Sequence, residues 1–157
     1  MTEPIHTIDK PGGQILIVED EPDSALFFRA LLESEGLTTE VCADGETALE
    51  RLASADFDLV LLDLILPGLS GWEVLGQIKG DGRLRYVPVV VLSALNDKPS
   101  ALKALDLGAE DFLTKPVDVE NLLSRVRVML RIRALYENLI NERVGRQQAQ
   151  RTLEMRR

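Results

Sequence analysis

Apolar residues gather in five short stretches, 14–18, 38–42, 59–62, 89–92 and 111–113, separated by longer mixed segments. Three of the five are near-continuous Val, Ile and Leu, without the polar alternation of a half-exposed strand. Such runs suit parallel strands covered on both faces. Between them the apolar positions take a helical spacing over 24–34, 45–54, 72–79 and 100–107, and a fifth helix begins near Asp118. Asp23 and Asp44 are expected N-caps, because a short side-chain oxygen satisfies the first free amides of a helix, and Ser70 and Gly71 precede the third helix. Strand and helix alternating through five rounds predict an α/β fold: a doubly wound, five-stranded parallel sheet with right-handed crossovers and helices on both faces. The five-stranded order of this class is 2-1-3-4-5, flavodoxin-like, and it reverses between strands one and three. Ligands bind outside the carboxyl ends of the strands at that reversal.

Beyond the fifth strand the pattern changes. From Val119 to Arg157 there is no proline and a single glycine, Gly145, so one helix can run through the whole extension. It would be roughly 58 Å long at 1.5 Å per residue. Val128, Ile132, Leu135 and Leu139 keep the 4-3-4 spacing of a two-helix seam; Glu142 and Arg146 then interrupt it before Ala149 and Leu153 resume. The chain therefore divides into a head, 1–13, a body, 14–130, and a helical extension, 131–157, that reads as a coiled-coil connector able to form a homodimer or lead to an output domain. A solvent-exposed single helix and a basic nucleic-acid-binding helix are the other readings of the extension.

Charge sharpens that division. The net charge is −8, but 131–157 holds seven basic and three acidic residues, +4, leaving −12 for the first 130. Nucleic-acid binding needs clustered Lys and Arg, so nucleic acid is not the expected partner of the body, whereas a cation is. The longest apolar runs, 59–62 and 87–92, fall far short of the roughly 18 residues of a membrane span. The head lacks the basic start and apolar core of a secretory signal. With one cysteine, Cys42, and one histidine, His6, an internal disulfide and a structural Cys/His metal site are both excluded. The expected location is cytoplasmic, with Cys42 as a small buried hydrophobe.

The candidate chemistry lies at the strand ends. Strand one runs into Glu19-Asp20-Glu21 and strand three into Asp63, so carboxylates converge on the crevice. Two carboxylates about 4 Å apart repel by roughly 4 kcal/mol at an effective dielectric near 20, which calls for a positive partner. Oxygen-only donors favour a hard divalent ion, and Mg²⁺ keeps waters that a phosphate can replace. Strand four ends in Ser93-Ala94 and strand five in Lys115-Pro116, which adds a hydroxyl and an ammonium. Singly, a turn serine or a surface lysine is unremarkable.

Together, Glu19-Asp20, Asp63, Ser93, Lys115-Pro116 and the run from Asp63 through Pro67 and Gly68 to Gly71 resemble the response-regulator receiver family over about 14–130. The resemblance implies that Asp63 is the phosphoacceptor of a two-component phosphorelay, taking a phosphoryl group from a sensor histidine kinase, a phosphotransfer protein or a small donor. It implies Mg²⁺ held by Asp20, Asp63 and the backbone carbonyl of Ile65, with Glu19 acting through water. Lys115 and Ser93 would contact phosphoryl oxygens, and the small Ala94 would leave room for the donor. Ser93 and Phe112 would form the switch, and Lys115-Pro116 a cis peptide. Phe112 stands where tyrosine is commoner and lacks its phenol. Ile65 and Leu95 stand where many family members carry polar residues that orient a hydrolytic water, so self-dephosphorylation is expected to be slow.

On this reading the protein is a signalling switch rather than an enzyme. A nucleotide-binding enzyme is disfavoured, since Glu-Asp-Glu-Pro replaces a glycine-rich loop after strand one. A dehalogenase-type phosphatase typically has a second aspartate where this chain has Ile65. A phosphorylation-independent docking module is the remaining alternative, although such modules usually lose the acceptor or the lysine.

Overall fold

The computed structural model describes residues 13–155. Five strands, β1 (Gln14–Val18), β2 (Thr38–Cys42), β3 (Leu59–Asp63), β4 (Val89–Ser93) and β5 (Asp111–Thr114), alternate with α1 (Pro22–Glu33), α2 (Gly45–Ser54), α3 (Gly71–Gly80), α4 (Lys98–Asp106) and α5 (Val119–Met155). All neighbouring strands pair in parallel, in the order β2-β1-β3-β4-β5, as the doubly wound reading requires. The head residues 1–12, His6 among them, lie outside the described residues.

The unalternating strands have a direct physical cause. Val60 and Leu62 of β3 pack with Leu16, Val18, Val89 and Val91 under α2, α3 and α4, against Ala48, Leu52, Val74, Leu75, Ile78 and Ala104. Leu59 and Leu61 point the other way and join Ile15, Ile17, Val90 and Leu92 under α1 and α5, against Phe28, Leu32, Leu122, Leu123 and Val126. Every position of β3 and β4 is therefore buried, and the period of two is hidden because both faces meet helices. Each fully buried Leu, Ile or Val contributes roughly 1.5–3 kcal/mol relative to exposure, so the two layers together anchor the sheet.

Two helix starts differ from expectation. The cap of α1 is Glu21 rather than Asp23: its carboxylate accepts from the amides of Asp23 and Ser24, at 3.3 and 2.8 Å. Pro22 takes the first helical position, where a missing amide costs nothing, so the helix begins two residues before the predicted 24. For the same reason α4 starts at Lys98, not 100, with Pro99 in the first turn and Asp97 capping the Ser100 amide at 2.9 Å. Asp44 caps α2 as expected, through the Thr47 amide at 2.7 Å. Ser70 caps α3, and with Glu73 forms a reciprocal capping box.

The fifth helix is continuous through Met155. Its first two turns bury Leu122, Leu123 and Val126 on the sheet, after which Val128, Ile132, Leu135 and Leu139 are exposed. Tyr136 stacks on Tyr86, with ring centroids 5.1 Å apart, and Arg133 donates to the Tyr86 carbonyl at 3.3 Å, fastening the helix to the loop before β4. Among the described residues no helix is long and apolar enough to cross a membrane.

Candidate functional site

The sheet order delivers the acidic residues to one place. In the register, Val18 faces Cys42 on one side and Leu62 on the other, so Glu19 and Asp63 leave adjacent strands at the same level. Glu19, Asp20 and Asp63 each offer one carboxylate oxygen within 4.8 Å of the others. Glu19 and Asp63 are buried, at 3% and 7% exposure, while Asp20 faces solvent.

Lys115 crosses from the end of β5 to join them. Its ammonium donates to Asp63 at 2.8 Å and to Glu19 at 2.5 Å. Burial works against the Lys115 charge, but the bonds to Asp63 and Glu19 outweigh it and hold the ammonium above its ordinary range. Burial pushes the Glu19 carboxyl up; the Lys115 bond offsets part of this, and the neighbouring Asp63 charge adds to it. Glu19 also accepts from the Glu21 amide at 3.2 Å, and Asp63 from the Ile65 amide at 2.9 Å, which positions both carboxylates.

Three carboxylates around one ammonium leave about two negative charges in a partly buried crevice, and every donor is oxygen. Such a set fits a hard divalent cation of the Mg²⁺ kind. The residues that would hold it are Asp20 and Asp63, with Glu19 beside them. Ile65 directs its amide to Asp63 and exposes its side chain.

The remaining candidates line the same rim without joining the acidic cluster. Asp63 pairs in register with Leu92, which puts Ser93 one residue further along, opposite Thr114. Ser93 is fully buried; its Oγ accepts from the Leu95 amide at 3.0 Å and its carbonyl from the Lys115 amide at 2.8 Å. Ala94 is exposed. Phe112 is half-buried against the layer under α2–α4, alongside Leu95 and Trp72. The Lys115-Pro116 peptide is cis. Cys42 is buried one residue past the strand partner of Ile17, and burial pushes its thiol up to about 11, so it is no nucleophile.

Two contributors have no obvious sign in the sequence. Glu21 looks like one more acid of the cluster, yet its carboxylate caps α1 and its amide holds Glu19. The Glu-Pro pair, a capping oxygen followed by a first-turn proline, is the signal that identifies it. Gly71 packs against the backbone that carries Asp63: a Cβ there would lie 2.3 Å from the Asp63 carbonyl oxygen and 2.4 Å from Leu64 Cα.

The same family pattern and fold are found in known proteins. The family model described as "Response regulator receiver domain" matches residues 15–127. The response regulator ArlR of Staphylococcus saprophyticus is 41% identical over 128 residues, covering 82% of this chain and 56% of its own. The uncharacterized transcriptional regulatory protein YkoG of Bacillus subtilis is 43% identical over 120 residues, 76% of this chain and 51% of its own. The chain thus spans about half the length of the curated relatives it matches. Among solved structures, the receiver domain of a Pseudomonas aeruginosa sensor histidine kinase, with a magnesium ion coordinated in its active site cleft, superposes with a TM-score of 0.70 at 29% identity, over 76% of this chain and 98% of its own. Fold, crevice and family match agree: this chain belongs to the response regulator receiver domains of two-component signalling.

Proposed function

We propose that Asp63 accepts a phosphoryl group and that the resulting charge change switches the surface around the last strands and helices. One observation carries this reading: Asp63, Glu19, Asp20 and Lys115 meet at the carboxyl end of the sheet, an electrostatic cradle in which the buried Asp63 carboxylate is held by both Lys115 and the Ile65 amide.

A carboxylate oxygen of Asp63 forms a bond to phosphorus as the bond from phosphorus to the donor's leaving atom breaks; with a phosphohistidine donor, the departing imidazole nitrogen takes up a proton. Transfers of this kind need positioning and charge stabilisation more than covalent help. The amide of Ile65 fixes one oxygen of Asp63, and Lys115, now bonded to the other, is placed to follow the new negative charge onto a phosphoryl oxygen. Mg²⁺ bound by Asp20, Asp63 and the Ile65 carbonyl, with Glu19 acting through water, would neutralise charge on the transferring group.

Ser93 is suited to the switch because, among the described residues, its Oγ only accepts from the Leu95 amide, leaving its proton free to donate to a phosphoryl oxygen. Phe112 would then shift against Leu95 and Trp72, in whose layer it lies half-buried. The apolar Ile65 and Leu95 give water no polar anchor, so the aspartyl phosphate should be lost slowly. The protein acts as a cytoplasmic signalling switch rather than as an enzyme, charged by a sensor histidine kinase or phosphotransfer protein. Relatives about one and a half times as long, one of them named as a transcriptional regulatory protein, support a fused output domain or separate downstream target; α5 would connect to it or form a homodimer.

The deciding experiment incubates the protein with Mg²⁺ and acetyl phosphate and measures intact mass beside Asp63→Asn and a Mg²⁺-free control. One added phosphoryl group in the wild type alone, and only with Mg²⁺, is the expected result. Failure with acetyl phosphate and with a panel of phosphorylated histidine kinases would instead leave a docking module of receiver fold.

A further inference from the structure

The exposed stripe of α5 is interrupted by two opposite charges, Glu142 and Arg146, at seam positions between Leu139 and Ala149. From this we infer that α5 pairs with a second copy of the chain in antiparallel orientation, centred near Val144. The inference rests on the reading that α5 forms a homodimer, and adds its direction.

The argument is one of register. Leu135 and Leu139 are 62% and 60% exposed and Leu153 is 63% exposed, so the stripe is unpartnered along its length. In a parallel pair each seam residue faces its own copy. Glu142 would then lie against Glu142 and Arg146 against Arg146, and the two like-charged layers would repel. In an antiparallel pair the numbers of facing residues keep a constant sum. If Glu142 faces Arg146 of the second copy, Arg146 faces its Glu142, so both charges find opposite partners in the seam. The same register sets Leu139 opposite Ala149 and Leu135 opposite Leu153, while Ile132 falls opposite Arg156, outside the described residues.

Three further features agree. Neither Glu142 nor Arg146 has an ion-pair partner among the described residues, although they lie one turn apart on the same helix. Gly145, beside the midpoint, has open space where a side chain would stand, room for a second helix to come close. The antiparallel arrangement also keeps the two acidic bodies, −12 over the first 130 residues of each, at opposite ends of the paired segment, with each basic extension running toward the other body. Parallel pairing would set acidic beside acidic and basic beside basic.

Cysteine cross-linking separates the two directions. In a Cys42→Ala background, Leu135→Cys and Leu153→Cys chains are oxidised separately and as a mixture, with and without acetyl phosphate and Mg²⁺, while sedimentation gives the size of the wild type. Both substituted positions are exposed, so the fold of each chain, checked by circular dichroism, should be unchanged. The expected result is a wild-type dimer, little product from either variant alone, and a mixed disulfide as the main product of the mixture. Self-linked Leu153→Cys chains as the main product would overturn the direction and leave the homodimer standing. A wild type that stays monomeric under both conditions would overturn the homodimer as well. Neither outcome depends on whether Asp63 is the acceptor, which the mass measurement decides separately.

Discussion

Gly71 and Gly145 show how differently the two ends of this molecule use their residues. At Gly71 a Cβ would collide with the Asp63 carbonyl oxygen and Leu64 Cα, backbone atoms that cannot step aside, whereas at Gly145 it would meet nothing within 4 Å. The first glycine belongs to a crevice in which chain segments 44 and more residues apart converge and charges meet one another: Lys115 holds Glu19 and Asp63. The second belongs to the stretch of α5 from 138 to 153, whose charges and apolar side chains are exposed. Crevice residues are held by tertiary contacts; those of the extension are set by local helix geometry.

The same substitution should therefore have opposite signs. Gly71→Ala is expected to cost about 3 kcal/mol, the upper end of overpacking, and to disturb the Asp63 carboxylate with it. Urea unfolding would measure the loss, and a variant as stable as the wild type would mean that α3 can move away from β3. Lys115→Met comes next, at about 2 kcal/mol: it leaves Glu19 and Asp63 buried without their ammonium, moderated by the 22% exposure of the lysine side chain. Added Mg²⁺ should recover more stability in this variant than in the wild type, because the carboxylates are then left for the cation alone; an equal Mg²⁺ effect in both would dissociate the lysine from the metal site.

Gly145→Ala should stabilise the extension by about 1 kcal/mol, the helix-propensity difference, and raise far-ultraviolet ellipticity at protein concentrations too low for pairing. The smallest effect is one of pH. The hydrogen bond from the Ser100 hydroxyl, then that from its amide, hold the Asp97 carboxyl below the usual carboxylate range. A folded pKa below the unfolded one means that the folded chain binds fewer protons there. The cap's contribution is complete above the unfolded value of 3.8 and lost as pH falls through the lower folded value. Asp97→Ala should lower the urea midpoint slightly at neutral pH and make it less sensitive to acid, and an unchanged acid limb would assign that loss to other carboxylates.

Much of the site was legible before the structure because it depends on strand ends. A carboxylate directly after Leu59-Val60-Leu61-Leu62 has to emerge where β3 leaves the sheet, and the strand order then sets it beside Glu19. The start of α1 was legible only in part: Asp23 has the better capping side chain, but Pro22 moved the helix start upstream and gave the cap to Glu21. The role of Gly71 was not legible, since a glycine opening a helix has the same local signature whether it packs on solvent or on the backbone of Asp63.

By itself the sequence determined the alternation of elements, the two-faced burial of the central strands and the length of α5, because these follow from local propensity and hydrophobic period along the chain. Only the tertiary structure decided which charges touch. Lys115 lies 52 residues from Asp63 and 96 from Glu19, and their bonds depend on how far each strand extends and how its neighbour is registered. Period and propensity act over a few residues; ion pairing acts through space, and only the folded sheet brings those distances down to hydrogen-bond length.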